Sequence, residues 1–138
     1  MNEPVELIMG KISKMSQDIL RRNLTHLDID RSFYPLLLID AGHGITQQEL
    51  ARDLSCDKVQ VVRIIDYLSA NGYVERMPNK TDKRKYELSI TEKAQKVIPD
   101  IKKAFDELSA ITLKGLTKSQ KNELYALLTL IASNLITF

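Results

Sequence analysis

Two clusters of side chains in this sequence have types and spacing that suit a polyanion better than a reacting substrate. The first is Lys58, Val59, Gln60, Val62 and Arg63. In a DNA major groove, glutamine matches the edge of adenine, arginine matches guanine or holds a phosphate, and valine touches a thymine methyl. Lys58 falls in the first turn of an expected helix, where amide dipoles repel a cation unless a phosphate lies opposite. The second cluster is Lys80, Asp82, Lys83, Arg84 and Lys85. From Arg76 to Lys85 five basic residues accompany one acid, Asp82, which suits either a self-repelling surface or a loop that seeks phosphates. Asp82 precedes Arg84 by two residues, so its carboxylate can aim the guanidinium and lower the entropy lost on docking. An arginine held this way fits a narrow minor groove, whose negative potential attracts it. Singly, each charge reads as solvated surface, and the Asp82–Arg84 pair as an ion pair worth less than about 1 kcal/mol.

The elements around these clusters give them a common purpose. Thr46-Gln47-Gln48-Glu49 is a capping box, in which Thr46 accepts from the amide three residues on and Glu49 reaches back to the amide of Thr46. It starts a short helix at Gln47 with Leu50 and Leu54 inward, interrupted by Ser55-Cys56-Asp57. Asp57 caps a second helix, with Gln60 in the answering position. Val61, Ile64, Ile65 and Leu68 form its buried stripe, and Asn71-Gly72 ends it. Two helices joined by about three residues form a helix-turn-helix, whose second helix enters the major groove by its N-terminal turns. Tyr73–Met77 and Tyr86–Ile90 then alternate apolar with polar residues, as half-buried strands do. They enclose the basic stretch as the tip of a hairpin, or wing.

This order of elements resembles the MarR family (multiple-antibiotic-resistance regulators). Four features carry the resemblance: T-Q-Q-E-L-A at Thr46 to Ala51, D-K-x-x-V-x-R at Asp57 to Arg63, D-x-R at Asp82 and Arg84, and L-S-I-T-E-K at Leu88 to Lys93. The sequence departs from the family pattern at Val59, Gln60 and Val62, where many members carry small hydroxyl residues, and at Ala94, usually glycine. The resemblance implies a mainly α fold with a small β-hairpin wing. In it, a winged helix-turn-helix is flanked by N- and C-terminal dimerisation helices. It implies a transcriptional regulator, read here as a repressor, bound as a homodimer to a pseudo-palindromic double-stranded DNA operator. It also implies a small, often aromatic ligand in the cleft between dimerisation helices and winged region. Met9, Ile12, Met15, Phe33 and Tyr34 are the candidates to line that cleft, with core packing as the alternative for each.

Composition sets wider bounds. A chain of 138 residues, 43% of them hydrophobic, suits one globular domain. It contains no run of about 18 apolar residues to span a membrane. Met1 to Ile8 carries Glu3 and Glu6 without a basic flank, unlike a signal peptide. One cysteine excludes an internal disulfide, and the cytoplasm is the expected compartment. A net charge of +2 is uninformative in itself, but Arg52 to Lys96 holds ten basic and seven acidic residues, leaving the remainder slightly acidic.

Residues 2–26 read as a first long helix with Pro4 in its opening turn and a seam of Val5, Ile8, Ile12, Met15 and Ile19. Ile29 to Gly42 reads as the next helix, capped by Asp30 and bent or loosened near its start by Pro35. After the wing, Thr91 caps a helix to about Leu113, kinked at Pro99, with Val97, Ile101, Phe105, Leu108 and Ile111 as its stripe. Thr117-Lys118-Ser119-Gln120 launches a last helix that is apolar nearly all round, from Leu124 to Phe138. A surface helix of a small monomer does not carry such a face. Residues 2–26 and 95–138 are therefore expected to build a homodimer around 29–94, the alternative being packing of the termini on each other within one chain.

Other chemistries have less support. His26 and His43 read as loop residues, and no His, Cys or carboxylate cluster has metal spacing. No cofactor is implied. A phosphate-cradling glycine loop, a nucleophile elbow and paired carboxylates are all missing, so an enzyme is not expected. Cys56 stands just before the reading helix, where amide dipoles favour a thiolate, so a redox-responsive regulator is one alternative; a small packed residue is the plainer role. A winged-helix adaptor that docks an acidic protein partner is another.

Overall fold

The computed structural model describes residues 2–136. Their helices are α1 (Val5–Asn23), α2 (Phe33–Gly42), α3 (Gln47–Asp53), α4 (Lys58–Ala70), α5 (Glu92–Thr112) and α6 (Lys118–Ile136), with β1 (Val74–Pro78) and β2 (Tyr86–Ile90) between α4 and α5. The fold is mainly α with one antiparallel hairpin, as its sequence suggests. Packing divides it into two compact units, the first ending at Phe105 and the second starting at Asp106.

The first unit is built around side chains drawn from every element between α2 and α5. Leu36, Leu50, Ile65, Leu68, Leu88 and Ile101 are fully buried, each such burial worth roughly 1.5–3 kcal/mol. The strands pair from Val74 opposite Ile90 to Pro78 opposite Tyr86. Thr46 bridges to Glu87, and the Ile45 carbonyl accepts from the Leu88 amide at 2.8 Å. The segment leading into α3 is thereby pinned to the wing.

Local chemistry fixes the ends of the two central helices. Thr46 Oγ1 accepts from the Glu49 amide at 3.2 Å, starting α3 where expected. The Glu49 carboxylate, however, accepts from the Thr46 hydroxyl at 3.0 Å, the nearby side-chain donor that competes with the Thr46 amide. At α4 the box is complete: Asp57 Oδ1 accepts from the Gln60 amide at 2.8 Å, and Gln60 Oε1 accepts from the Asp57 amide at 3.3 Å. The far end closes with Gly72 at φ +82°, a backbone angle that favours glycine. There the Tyr73 amide donates to Leu68 O at 2.9 Å and the Gly72 amide to Ser69 O at 3.0 Å. These are the two bonds of a Schellman stop.

Several expected boundaries move. Helix α1 is shorter than 2–26, with Pro4 as its N-cap. Helix α2 starts at Phe33 after Ser32, which is left-handed at φ 65°. Asp30 does not cap it, because a tertiary contact takes that residue: its amide donates to Tyr67 Oη at 2.9 Å and its carboxylate accepts from the Tyr67 hydroxyl at 3.1 Å. Pro35 consequently falls in the first turn of α2, where its missing donor has no intrahelical partner to lose. Helix α5 buries Ala94, Ile98, Ile101 and Ala104, whereas Ile111 is exposed. Its inner face is set partly by small residues, and Ile98 replaces Val97 as the second buried position. Pro99 lies inside α5.

The expected capping box of α6 forms, with Gln120 Oε1 accepting from the Thr117 amide at 2.9 Å and Thr117 Oγ1 from the Gln120 amide at 3.2 Å. No side chain of α6 is buried; Tyr125, Leu127, Leu130 and Leu135 are all at least half exposed. Phe138 lies outside the described residues.

Buried Tyr73 anchors a polar junction in the first unit. Its hydroxyl donates to Asp28 Oδ1. Lys93 Nζ donates to Asp28 Oδ2 at 2.6 Å and to Asn71 O at 2.8 Å, and lies 4.8 Å from the Tyr73 ring centroid. The junction ties the loop after α1 to the end of α4 and the start of α5. The Lys93 ammonium, and then the Tyr73 hydroxyl, hold the Asp28 carboxyl below the usual carboxylate range. Burial, and then Asp28, push the Tyr73 phenol up to about 12.

Two outcomes follow. Asp57→Ala removes the α4 cap and lowers stability by about 1 kcal/mol, read as a lower urea midpoint. A carboxyl with a lowered folded pKa contributes stability that is present above its ordinary value and lost as pH falls through the lowered one. Asp28→Asn therefore lowers the urea midpoint at neutral pH and flattens its decline in acid; a parallel decline in both proteins rules Asp28 out as the cause.

Candidate nucleic-acid interface

Helix α4 is buried on one side only. Val61, Ile65 and Leu68 face the core, whereas Lys58, Val59, Gln60 and Arg63 are exposed and Val62 is half-buried. Positions 59, 62 and 63 share one face, being three and four residues apart. Val59 is the one large apolar side chain of α4 that is exposed, at 60%. Gln60 points back to its own cap, so its carbonyl oxygen is engaged within the helix terminus.

The wing tip is ordered by its own hydrogen bonds. Asn79 Oδ1 accepts from the Thr81 amide at 2.9 Å, the Thr81 hydroxyl at 2.7 Å and the Asp82 amide at 3.0 Å. The Asn79 amide donates to Lys85 O at 2.9 Å, closing the loop at its base. Asp82 Oδ1 accepts from both the backbone amide of Arg84 at 3.1 Å and its Nε at 3.2 Å. The pairing inferred from the two-residue spacing is thus present. The Arg84 side chain, followed by its backbone amide, holds the Asp82 carboxyl below its ordinary value. Arg84 is nevertheless 92% exposed, so its guanidinium is oriented without being covered. Lys80, Lys83 and Lys85 are exposed around it.

A groove of about 590 Å³ separates the first turns of α3 and α4 from the wing. Its walls include Thr46, Gln47 and Gln48 from the start of α3, Lys58 and Val62 from α4, and Arg76, Arg84, Lys85 and Tyr86 from the wing. Lys58 and Val62 of the first cluster and Arg84 and Lys85 of the second therefore share one cationic trough, whereas Val59, Gln60, Arg63, Lys80, Asp82 and Lys83 lie outside its lining. Arg76 and Tyr86 are additions to the residues singled out from the sequence. Arg76 Nη2 donates to Asp66 Oδ1 at 2.6 Å, joining the wing to the exposed side of α4. Strand alternation places Arg76 on the same side as Val74, toward α4, and that was the available signal.

Met9, Ile12, Met15, Phe33 and Tyr34 do not line this groove. Ile12 and Met15 are exposed on α1, and Met9 is half-buried there. Phe33 is a core residue, only 6% exposed, because the first turn of α2 turns it inward. Tyr34 packs its ring on Phe105, with centroids 5.8 Å apart. Cys56 is half-buried, and its amide donates to Ala51 O at 3.0 Å. Burial, and then the Asp57 carboxylate, push its thiol up. Among the described residues no three His, Cys, Asp or Glu side chains converge as metal ligands, and no helix is long and apolar enough to cross a membrane.

Comparison with known proteins agrees with this geometry. The family model described as MarR family matches residues 31–86, from the loop before α2 to the first residue of β2. The HTH-type transcriptional regulator YybA of Bacillus subtilis is 28% identical over 128 residues, covering 92% of this chain and 85% of the relative. The HTH-type transcriptional regulator BilQ of Clostridium symbiosum is 30% identical over 95 residues, covering 69% of this chain and 66% of the relative. Among solved structures, a MarR family transcriptional regulator from Listeria monocytogenes, complexed with 26mer DNA, superposes with a TM-score of 0.86 at 29% identity. That match covers 97% of this chain and 89% of the other. These relatives are transcriptional regulators rather than enzymes. Helix-turn-helix, ordered basic wing and matched relatives agree, and the chain belongs to the MarR family of winged helix-turn-helix transcriptional regulators.

Proposed function

We propose that the chain acts as a cytoplasmic homodimeric repressor that binds a pseudo-palindromic double-stranded operator and is released by a small aromatic ligand. The observation that carries the DNA part is the shared trough, with Lys58 on one wall and Arg76, Arg84 and Lys85 on the other. In this reading α4 enters the major groove by the turns that carry Lys58, Val59, Gln60, Val62 and Arg63. Arg84 reaches the adjacent minor groove, aimed by Asp82, while Lys80, Lys83 and Lys85 hold flanking phosphates. The Listeria regulator solved with DNA supports it.

The homodimer reading rests on apolar faces at both ends of the chain. Val5, Leu7, Ile8, Ile12 and Met15 are exposed on α1, and Leu127, Leu128, Leu130, Leu135 and Ile136 on α6. A second chain meeting 2–26 and 95–138 would cover them, and a two-fold axis would set the 29–94 regions one DNA turn apart. Ligand release follows if an aromatic molecule near Met9, Ile12, Met15 and Tyr34 favours a spacing of the reading helices that DNA does not fit. The raised Cys56 thiol weighs against release by oxidation.

Fluorescence anisotropy tests the DNA reading. A duplex from upstream of the protein's own gene binds at least about a hundredfold tighter than a scrambled duplex, within the range typical of specific recognition. Arg84→Ala weakens the specific complex about tenfold, and Lys83→Ala lowers the log–log salt slope by about one per half-site. Equal, weak binding to every genomic duplex contradicts the proposal and directs the search to an acidic protein partner.

A further inference from the structure

Base recognition by the exposed face of α4 has a feature that the side-chain types alone do not disclose. Gln60 is the residue whose amide matches adenine, which requires its oxygen as acceptor and its nitrogen as donor together. That oxygen already accepts from the Asp57 amide, and the Gln60 amide binds Asp57 Oδ1 in return. Reading adenine through Gln60 would have that oxygen divide its two lone pairs between the base and the cap that starts the reading helix.

The same face holds a different reader. Val59 is 60% exposed in the first turn, although valine forms helix less readily than alanine, lysine or glutamine and gains little packing there. Val62, three residues on, lies beside it and borders the trough. The two lie about 4.5 Å apart along the helix axis, adjacent on one face. The one apolar group that unmodified DNA presents in the major groove is the thymine methyl.

We propose that Val59 and Val62 form an apolar reader that selects thymine methyls on neighbouring base pairs of each half-site, with Arg63 alongside to read guanine. The assignment rests on the operator-binding reading and specifies what is read. Gln60 then serves as a positioning residue, holding the first turn of α4 so that the two valines are presented together.

Uracil is the probe, because replacing thymine with uracil removes the methyl and leaves base pairing intact. A specifically bound genomic duplex is first selected, and each thymine of its half-sites is then replaced in turn. Uracil at one or two neighbouring positions weakens binding about fourfold per half-site, and replacements elsewhere leave it unchanged. Val59→Ala, at an exposed site with an unchanged urea midpoint, binds the thymine duplex as weakly as the parent binds the uracil duplex. It also loses sensitivity to uracil at one of those positions. Specific binding that is indifferent to every uracil replacement overturns the valine assignment and leaves the operator reading standing. So does undiminished sensitivity in Val59→Ala. Failure to find any specifically bound duplex overturns both.

Discussion

The packing of Val61, Ile65 and Leu68 into the first unit is the interaction on which the reading face depends. All three are essentially solvent-free, and losing such a side chain from a packed core costs about 2–5 kcal/mol. Their burial fixes the rotation of α4 about its axis, which decides that Val59, Val62 and Arg63 look outward. The ends of the helix fix its translation: the Asp57–Gln60 box starts it and the Gly72 stop ends it. Tyr67 then ties its second half to Asp30, and Tyr73, just past its end, binds Asp28 in the loop after α1. The reading helix is thus held in both rotation and position by contacts that leave its outer face unused.

The wing is positioned by different means. It buries little at its tip, so order comes from polar contacts: Asn79 collects three donors and Asp82 holds Arg84 twice. Exposed ion pairs of this kind add little stability. Their value lies in pre-orienting a guanidinium that would otherwise lose rotamer freedom on binding. Asp66–Arg76 and the Thr46–Glu87 bridge connect wing, α4 and the start of α3. The relative placement of the α4 and wing clusters is therefore set by contacts within the chain.

What was legible in the sequence was local. The Asp57–Gln60 and Thr117–Gln120 boxes, the Gly72 stop and the Asp82–Arg84 pair involve residues within a few positions of one another, and each appears where spacing placed it. What was illegible was tertiary. Asp30 looks like a cap by its neighbours but binds Tyr67, 37 residues away. The stripe of α5 holds the expected Ile101, but its other buried positions are Ile98 and the small Ala94 and Ala104, which a pattern of large side chains passes over. Arg76 faces α4 by strand alternation, but its bond to Asp66, ten residues away, is a tertiary contact. At Gln60 a single residue satisfied two patterns, helix cap and base reader, and only the geometry shows which one holds its oxygen. Cys56 lies before a helix N-terminus, yet burial and then Asp57 push its thiol up.

The central claim is that α4 and the wing tip present one surface to duplex DNA, twice per two-fold complex. Hydroxyl-radical footprinting on a selected genomic duplex tests it most directly. Two protected backbone segments centred about one helical turn, roughly 10 base pairs, apart are expected, each with a protected minor groove where Arg84 enters, and guanine N7 between them is shielded from dimethyl sulfate where α4 lies in the major groove. A single protected segment, or protection that does not change when the wing tip is replaced by glycine and serine, would contradict it.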